Sequence, residues 1–396
     1  MKEKIMILGA GRGQVDLIQT AKRMGYETVV ASIKGNYPGF EIADEICYAD
    51  ISDPEEIADV AAKYKVGGIA TACLDTGIAA LGYACEKNGL TGLSEMAAKL
   101  SGDKLLMKDA FMKNNVHTAR YREVSSLCDV YKVIEELRFP LIVKAIDLQG
   151  SRGINIAYDK EQLVQGYERT MNETNKDICI IEEYIDGYEC GVQAFVFQGE
   201  VLFVLPCGDI TFLGDTKIPV GHYVPLKLEE GVLSKIDHEV RTAIRALKLD
   251  NCAVNVDLIL KDGEVYVIEL TGRIGANCLP QLTSIYYGID IYQMIVQTAM
   301  GLEPVSYFNS KRNSGVCGYA RMLISEKDGT LKKIINTNSK NKKIVEITFF
   351  VKPGDRINKF SNSKDCIGQV VVKGENLKEC EETMKRVLGH ISLELE

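Results

Sequence analysis

"NCAVNVDLILKDGEVYVIELTGR", residues 251–273, alternates apolar and polar positions on either side of Asp262-Gly263, the signature of a β-hairpin. Each arm carries one acid amid apolar residues, Asp257 on the first and Glu269 on the second. A lone acid in such surroundings is costly unless something compensates it. Two acids directed at one spot are what a hard cation such as Mg²⁺ requires. The turn decides whether they meet. A two-residue Asp262-Gly263 turn pairs Asp257 with Ile268 and sends the acids to opposite faces. A three-residue turn from Lys261 to Gly263 pairs Asp257 with Val267 and puts both acids on one face, with Thr271 beside them and Arg273 just beyond. Both turns fit the residues; the cost of isolated acids favours the second.

Upstream, "FPLIVKAID" is a strand carrying Lys144, followed by the glycine-rich loop "LQGSRGI". Gly150, Ser151, Arg152 and Gly153 suit backbone N–H groups closing on phosphate oxygens, and a strand lysine adds positive charge. Taken singly, Lys144 reads equally as a solvated strand end and S-R-G as a turn. The strands "ICIIEEYI", "ECGVQAFVF" and "EVLFVLP" come next, with Asp186-Gly187 and Gln198-Gly199 as turns between them. Residues 206–225, "PCGDITFLGDTKIPVGHYVP", hold four glycines and three prolines and read as a long loop, a candidate lid over the site. An amphipathic helix, "VLSKIDHEVRTAIRALKL", leads to the hairpin.

Residues 1–100 alternate strand and helix signals, which implies parallel strands joined by helices. The first turn, "GAGRGQ", lacks the last glycine of a dinucleotide fingerprint, with Gln14 in its place. The second strand, "ETVVAS", ends without the acid that would hold ribose hydroxyls. A nicotinamide or flavin enzyme is therefore disfavoured. The tail, from about 306, supplies the strand "GQVVVKG", the helix "NLKECEETMKRVL" and the strand "HISLELE".

A chain of 396 residues accommodates two or three domains. A net charge of −8 disfavours a nucleic-acid or anionic-membrane surface, and no apolar run is long enough to span a bilayer. The 12 cysteines include no C-x-x-C pair, and the strand-like start carries no apolar leader, so a reducing cytoplasm is expected.

The order of features resembles the ATP-grasp superfamily. The series runs from Lys104 in "DKLLMK" through Lys144, the 149–153 loop and "IIEEYIDGYE" (180–189) to Asp257 and "VIELTGR" (267–273). The resemblance covers nearly the whole chain. It implies a mixed α/β and α+β architecture: a Rossmann-like domain (1–100), an ATP-grasp domain of two α+β subdomains clamping ATP (101–305, hinge near 182–189) and a small β-rich C-terminal domain (306–396). It also implies site roles. Lys104 and Lys144 would contact ATP phosphates, and Gly150, Ser151, Arg152 and Gly153 would close over them. Glu182, Glu183, Tyr184 and Ile185 would form the adenine hinge, and Glu189 would bind ribose. Asp257, Glu269 and Thr271 would hold Mg²⁺ or Mn²⁺, Thr271 standing where the E-x-N-x-R pattern has asparagine. Arg273, with Lys144, would serve catalysis by steadying an acyl phosphate. Gly11, Asp75, His222, Arg273 and Asn277 are candidate substrate contacts.

The reaction so implied is ATP-dependent activation of a carboxylate as its acyl phosphate and its joining to an amine, releasing ADP and phosphate. A carboxylase or a purine-pathway relative is the alternative, though Asn277 stands where a biotin carboxylase has an acid. A non-catalytic ATP-binding protein is a third reading. Partners would be small-molecule carboxylates and amines, with a homodimer among the expected assemblies.

Overall fold

The computed structural model describes residues 2–147, 153–213, 217–312 and 315–396. Of the second glycine loop only Gly153 falls within it; Gly150, Ser151 and Arg152 lie outside the described residues.

Strands β1 (Lys4–Leu8), β2 (Glu27–Ser32), β3 (Glu45–Tyr48) and β4 (Gly68–Ala70) form a parallel sheet in the order β3-β2-β1-β4, as the strand–helix alternation predicts. Gly9 turns the chain out of β1 at φ +94°, a conformation that side chains resist. The helix Pro54–Tyr64 begins as its sequence requires, with the Asp53 side chain accepting from the Glu56 N–H.

β5 (Tyr121–Val124), β6 (Leu141–Ala145), β7 (Ile154–Ala157) and β8 (Cys179–Glu183) form a second, antiparallel sheet in the order β5-β8-β6-β7. Helices Leu127–Glu136 and Lys160–Glu173 close one face of it over a core of Val124, Val130, Val143, Leu163 and Ile181. Asp186-Gly187 is therefore not a hairpin turn: β8 pairs inside this sheet, and the chain leaves it at 184–187 for another.

That other sheet has eight strands in the order β13-β12-β9-β10-β11-β14-β18-β16. It is built from β9 (Tyr188–Phe197), β10 (Glu200–Leu213), β11 (Lys217–Val224), β12 (Cys252–Lys261), β13 (Glu264–Thr271) and β14 (Cys317–Leu323). Beyond a strand β15 (Gly329–Asn336), it is completed by β16 (Ile344–Phe349) and, after a short β17 (Arg356–Ile357), by β18 (Gly368–Gly374). The last strand, β19 (Ile391–Leu395), joins β15 and β17 in a separate three-stranded sheet. Because β11 pairs with β14, the large sheet runs without a break across the 305/306 boundary.

Residues 206–225 are the main correction: they are not an irregular loop but most of the β10–β11 hairpin. The glycines that suggested a loop serve close approach instead. A Cβ on Gly208 would strike the Tyr223 ring, and one on Gly221 would strike the Ala320 carbonyl oxygen. Pro219 is tolerated because β14 pairs with β11 only from Gly221 onward, and a bulge between Ile210 and Thr211 falls beside it. The free-loop premise of a lid does not hold; Phe212 of this hairpin packs edge-on against Phe360 of the C-terminal region.

Two glycines test this account with opposite signs. Gly221→Ala drives a methyl into a fixed backbone carbonyl and should lower thermal stability by about 1–3 kcal/mol. Gly231→Ala, in the helix Glu230–Ala246 with nothing within 4 Å of the new methyl, should raise it by up to about 1 kcal/mol. Melting curves of both variants read the outcome.

Candidate functional site

Asp257 and Glu269 are direct cross-strand partners on one face of the large sheet. The device differs from both turns considered above. The hairpin uses the two-residue turn, with Asp262 at φ +53° and Gly263 at φ +75° and Lys261 opposite Glu264. The register then slips by one residue between Asp257 and Leu258, because Ile268 is bulged out of the ladder. The bulge, not the turn, brings the acids together. Protein packed around Asp257 and the neighbouring Glu269 carboxylate push its carboxyl well above the usual range.

Thr271 lies opposite Asn255 on the same face, but its Oγ1 is enclosed by protein and has no hydrogen-bond partner. Among the described residues no group of three His, Cys, Asp or Glu is placed to hold a metal ion. Two adjacent carboxylates fit Mg²⁺ nonetheless, because that ion commonly takes one or two carboxylates and completes its shell with water and substrate phosphate.

A cationic cluster lies close by. Glu182 of β8 accepts from the Lys144 Nζ of β6 at 2.6 Å and the Lys108 Nζ at 2.7 Å, with the Glu182 and Lys108 side chains 2% and 4% exposed. Lys108 also donates to the Thr118 hydroxyl at 2.6 Å, which donates to the Val267 carbonyl at 2.7 Å. This chain ties the smaller antiparallel sheet to β13, two residues from Glu269. Burial opposes the charge on Glu182, but the two lysines outweigh it and hold the carboxyl down to about 2. Two ammonium groups on one carboxylate leave one positive charge over, which suits an anionic ligand. Sequence reasoning weighted Lys104 and passed over Lys108, four residues on. Lys104 is half-buried at the first position of the helix Lys104–Lys113, one turn before Lys108 on the same side. The signal that could have found Lys108 was its place as the last residue of the quoted "DKLLMK".

At the expected hinge, the Glu183 N–H donates to the Arg120 carbonyl and the Tyr184 N–H to the Pro140 carbonyl, each at 2.9 Å. Residues 184–186, including Ile185, follow outside any helix or strand. Glu189 is exposed on β9 two residues before Gly191, which pairs with Asp257. Asp209 of β10 and His222 of β11 bond at 2.7 Å, and the Asp209 charge is among those that raise the Asp257 carboxyl.

The remaining candidates gather where the first domain meets the hairpin. Arg273 makes two 2.6 Å hydrogen bonds to the Asp75 carboxylate, a bidentate pair 12% and 23% exposed. Beside it, the Cys73 N–H donates to the Ile274 carbonyl and its Sγ–H to the Gly275 carbonyl, both at 3.2 Å. Gly11 belongs to the same neighbourhood. Gln14, which took the place of the missing glycine, is buried beneath that turn and donates to the Ala72 carbonyl at 2.5 Å. Asn277 is exposed at φ +54° in the segment after Arg273.

Glu182→Gln should leave two buried ammonium groups without their counterion and cost roughly 3–5 kcal/mol at neutral pH. A carboxyl whose folded value is depressed stabilises the fold above its ordinary value of 4.5 and loses that contribution as pH falls toward 2. The gap between wild type and variant in thermal melting should therefore be full at pH 7 and narrow between about pH 4.5 and pH 2.

Residues 102–342 match the family model described as phosphoribosylglycinamide synthetase, ATP-grasp (A) domain, and residues 321–396 match the model of L-amino acid ligase C-terminal domain 2. Alanine–anticapsin ligase of Bacillus subtilis (strain 168) is 28% identical over 289 residues, 65% of this chain and 60% of that protein. The chain thus matches less than two thirds of this relative's length. A crystal structure described as phosphoribosylglycinamide synthetase from Anaerococcus prevotii is 47% identical, with a TM-score of 0.90 over all of both chains. An L-amino acid ligase from Bacillus licheniformis shares the fold at 20% identity, with a TM-score of 0.84 over 100% of this chain and 99% of that one. No helix among the described residues is long and apolar enough to cross a membrane. With the first model alone spanning more than half of its length, this chain belongs to the ATP-grasp superfamily.

Proposed function

We propose that this protein is an ADP-forming carbon–nitrogen ligase that activates an amino acid or related carboxylate and joins it to an amine. The single observation that carries the reading is the placement of the Asp257–Glu269 pair on β12 and β13, two residues along β13 from the carbonyl that Lys108 reaches through Thr118. The lysine cluster supplies charge for nucleotide phosphates. Glu183, Tyr184 and Ile185 line the adenine edge, and Glu189 holds ribose. A divalent cation, Mg²⁺ or Mn²⁺, held by Asp257 and Glu269 neutralises phosphate charge during transfer.

The chemistry balances in two steps. A carboxylate oxygen attacks the γ-phosphorus, forming an acyl phosphate and releasing ADP. An amine then attacks the acyl carbon, the C–O bond to phosphate breaks, and the amine proton passes to solvent. Arg273 donates to the oxyanion that develops on attack, and its bidentate bonds to Asp75 fix the plane of the guanidinium beforehand. Gly11, His222 and Asn277 contribute to the substrate side. Thiols unpaired at all 12 cysteines fit a reducing cytoplasm. The assembly we favour is a homodimer.

Support for amino-acid substrates comes from the C-terminal match and from the alanine–anticapsin ligase relative. A purine-pathway reading is favoured by one observation, the description of the 47% identical Anaerococcus prevotii structure. A phosphate-release screen separates them. Amino acids and small acids are offered singly and in pairs, with glycine plus phosphoribosylamine and bicarbonate as further arms. ADP and phosphate released in equal amounts only when an amino acid and an amine are both present would support the ligase reading. Release with glycine plus phosphoribosylamine alone would transfer it to the purine pathway, and release in no arm would overturn both.

A further inference from the structure

Gln193 of β9 is fully buried, and every polar atom of its side chain is committed. The Gly275 N–H donates to its Oε1 at 2.8 Å, which fixes the orientation of the amide. Its Nε2 donates to the Val192 carbonyl at 3.1 Å and to the Asn255 Oδ1 at 2.7 Å. That second bond in turn orients Asn255, whose Nδ2 points to the Asp257 Oδ1 at 3.3 Å. The result is a one-way chain of donors, Gly275 to Gln193 to Asn255 to Asp257, running from the Arg273 segment to the carboxylate pair. Gly275 is held from its other side by the Cys73 thiol. A Cβ at 275 would lie 2.6 Å from the Asn255 Oδ1 and 3.0 Å from the Gln193 Nε2, so glycine is what leaves room for the chain to form.

We propose that Gln193 and Asn255 are positioning residues that aim the Asp257 carboxylate for cation binding and couple it to the segment carrying Arg273. Asn255 thereby supplies from β12 the amide that β13 lacks at Thr271, whose own hydroxyl is closed off. Asn255 and Thr271 are direct cross-strand partners, so the amide has moved only one strand across the same face. Holding one carboxylate oxygen by a donor leaves the other to meet the ion, and a chain whose members fix one another's orientation pays its ordering cost during folding rather than at binding. This inference rests on the reading of Asp257 and Glu269 as the cation-holding pair.

The test uses the full chain, with Mn²⁺ as the probe and ADP present, following free Mn²⁺ by electron paramagnetic resonance. Asn255→Leu keeps the side-chain size and removes the amide. It should weaken Mn²⁺ binding about tenfold, the loss expected of one hydrogen bond to a charged group, while metal-free ADP binding changes by less than about twofold. Gly275→Ala, which breaks the chain upstream, should shift Mn²⁺ binding in the same direction. Hydrogen exchange at the Gly275 amide supplies a second readout that general loosening of the fold would not produce. Mn²⁺ with ADP should slow that exchange in the wild type and leave it unchanged in Asn255→Leu. Mn²⁺ affinity in Asn255→Leu within about twofold of wild type, or equal slowing of exchange in both proteins, would overturn the inference while leaving the proposed function standing. A wild-type protein whose Mn²⁺ binding gains nothing from ADP would instead overturn the reading of the carboxylate pair, and this inference with it.

Discussion

Ile268 occupies the extra place in the β12–β13 ladder, and through it Asp257 and Glu269 come to share one face of the sheet. Side chains alternate across a strand, so a register one residue different would send one acid to the opposite side. The bulge therefore decides whether the hairpin carries two unrelated acids or a paired site. Its cost is one unpaired residue in a ladder that is otherwise regular from Asn255 to Lys261. Carboxylates held side by side repel, and the raised Asp257 carboxyl is the measure of that repulsion together with burial. The site stores unfavourable charge until a cation relieves it.

Charge on the other wall has the reverse sign. Glu182 draws Lys108 and Lys144 together, yet it neutralises only one of them. An anionic ligand with a cation attached matches both halves at once: its phosphates answer the spare lysine and its metal answers the acids. Neither wall alone specifies this. Thr118 joins them, since its hydroxyl receives Lys108 and reaches the Val267 carbonyl on β13. A third support comes from the first domain, where Asp75 and Cys73 fasten the segment of Arg273 and Gly275 from outside the sheet.

Much of this was legible in the residues. Strand–helix alternation in the first hundred residues, the Asp53 cap and the apolar stripe of the helix Glu230–Ala246 all rest on local rules that the structure obeys. The acids at 257 and 269 could be read as a pair because isolated burial would be costly, but the bulge that pairs them leaves no mark on composition. Residues 206–225 misled for a similar reason. Glycine and proline signal turns locally, whereas Gly208 and Gly221 are set by a tyrosine ring and by a neighbouring strand, and strand pairing across the sheet is invisible in one segment. Lys108 was hidden because the helix presents two lysines one turn apart, and only the position of Glu182 on β8 selects between them. The Gln193–Asn255 chain and the Asp75–Arg273 pair join residues 62 and 198 positions apart, beyond the reach of any pattern of spacing.

The central claim is that the two walls do separate work, lysines holding nucleotide phosphates and the Asp257–Glu269 pair holding the ion. Calorimetric titration with a non-hydrolysable ATP analogue, with and without Mg²⁺, tests it most directly. In the wild type Mg²⁺ should strengthen binding of the analogue. In the double variant Asp257→Asn with Glu269→Gln, metal-free binding should persist and the Mg²⁺-dependent gain should vanish. A double variant that keeps the full gain from Mg²⁺ would contradict the account.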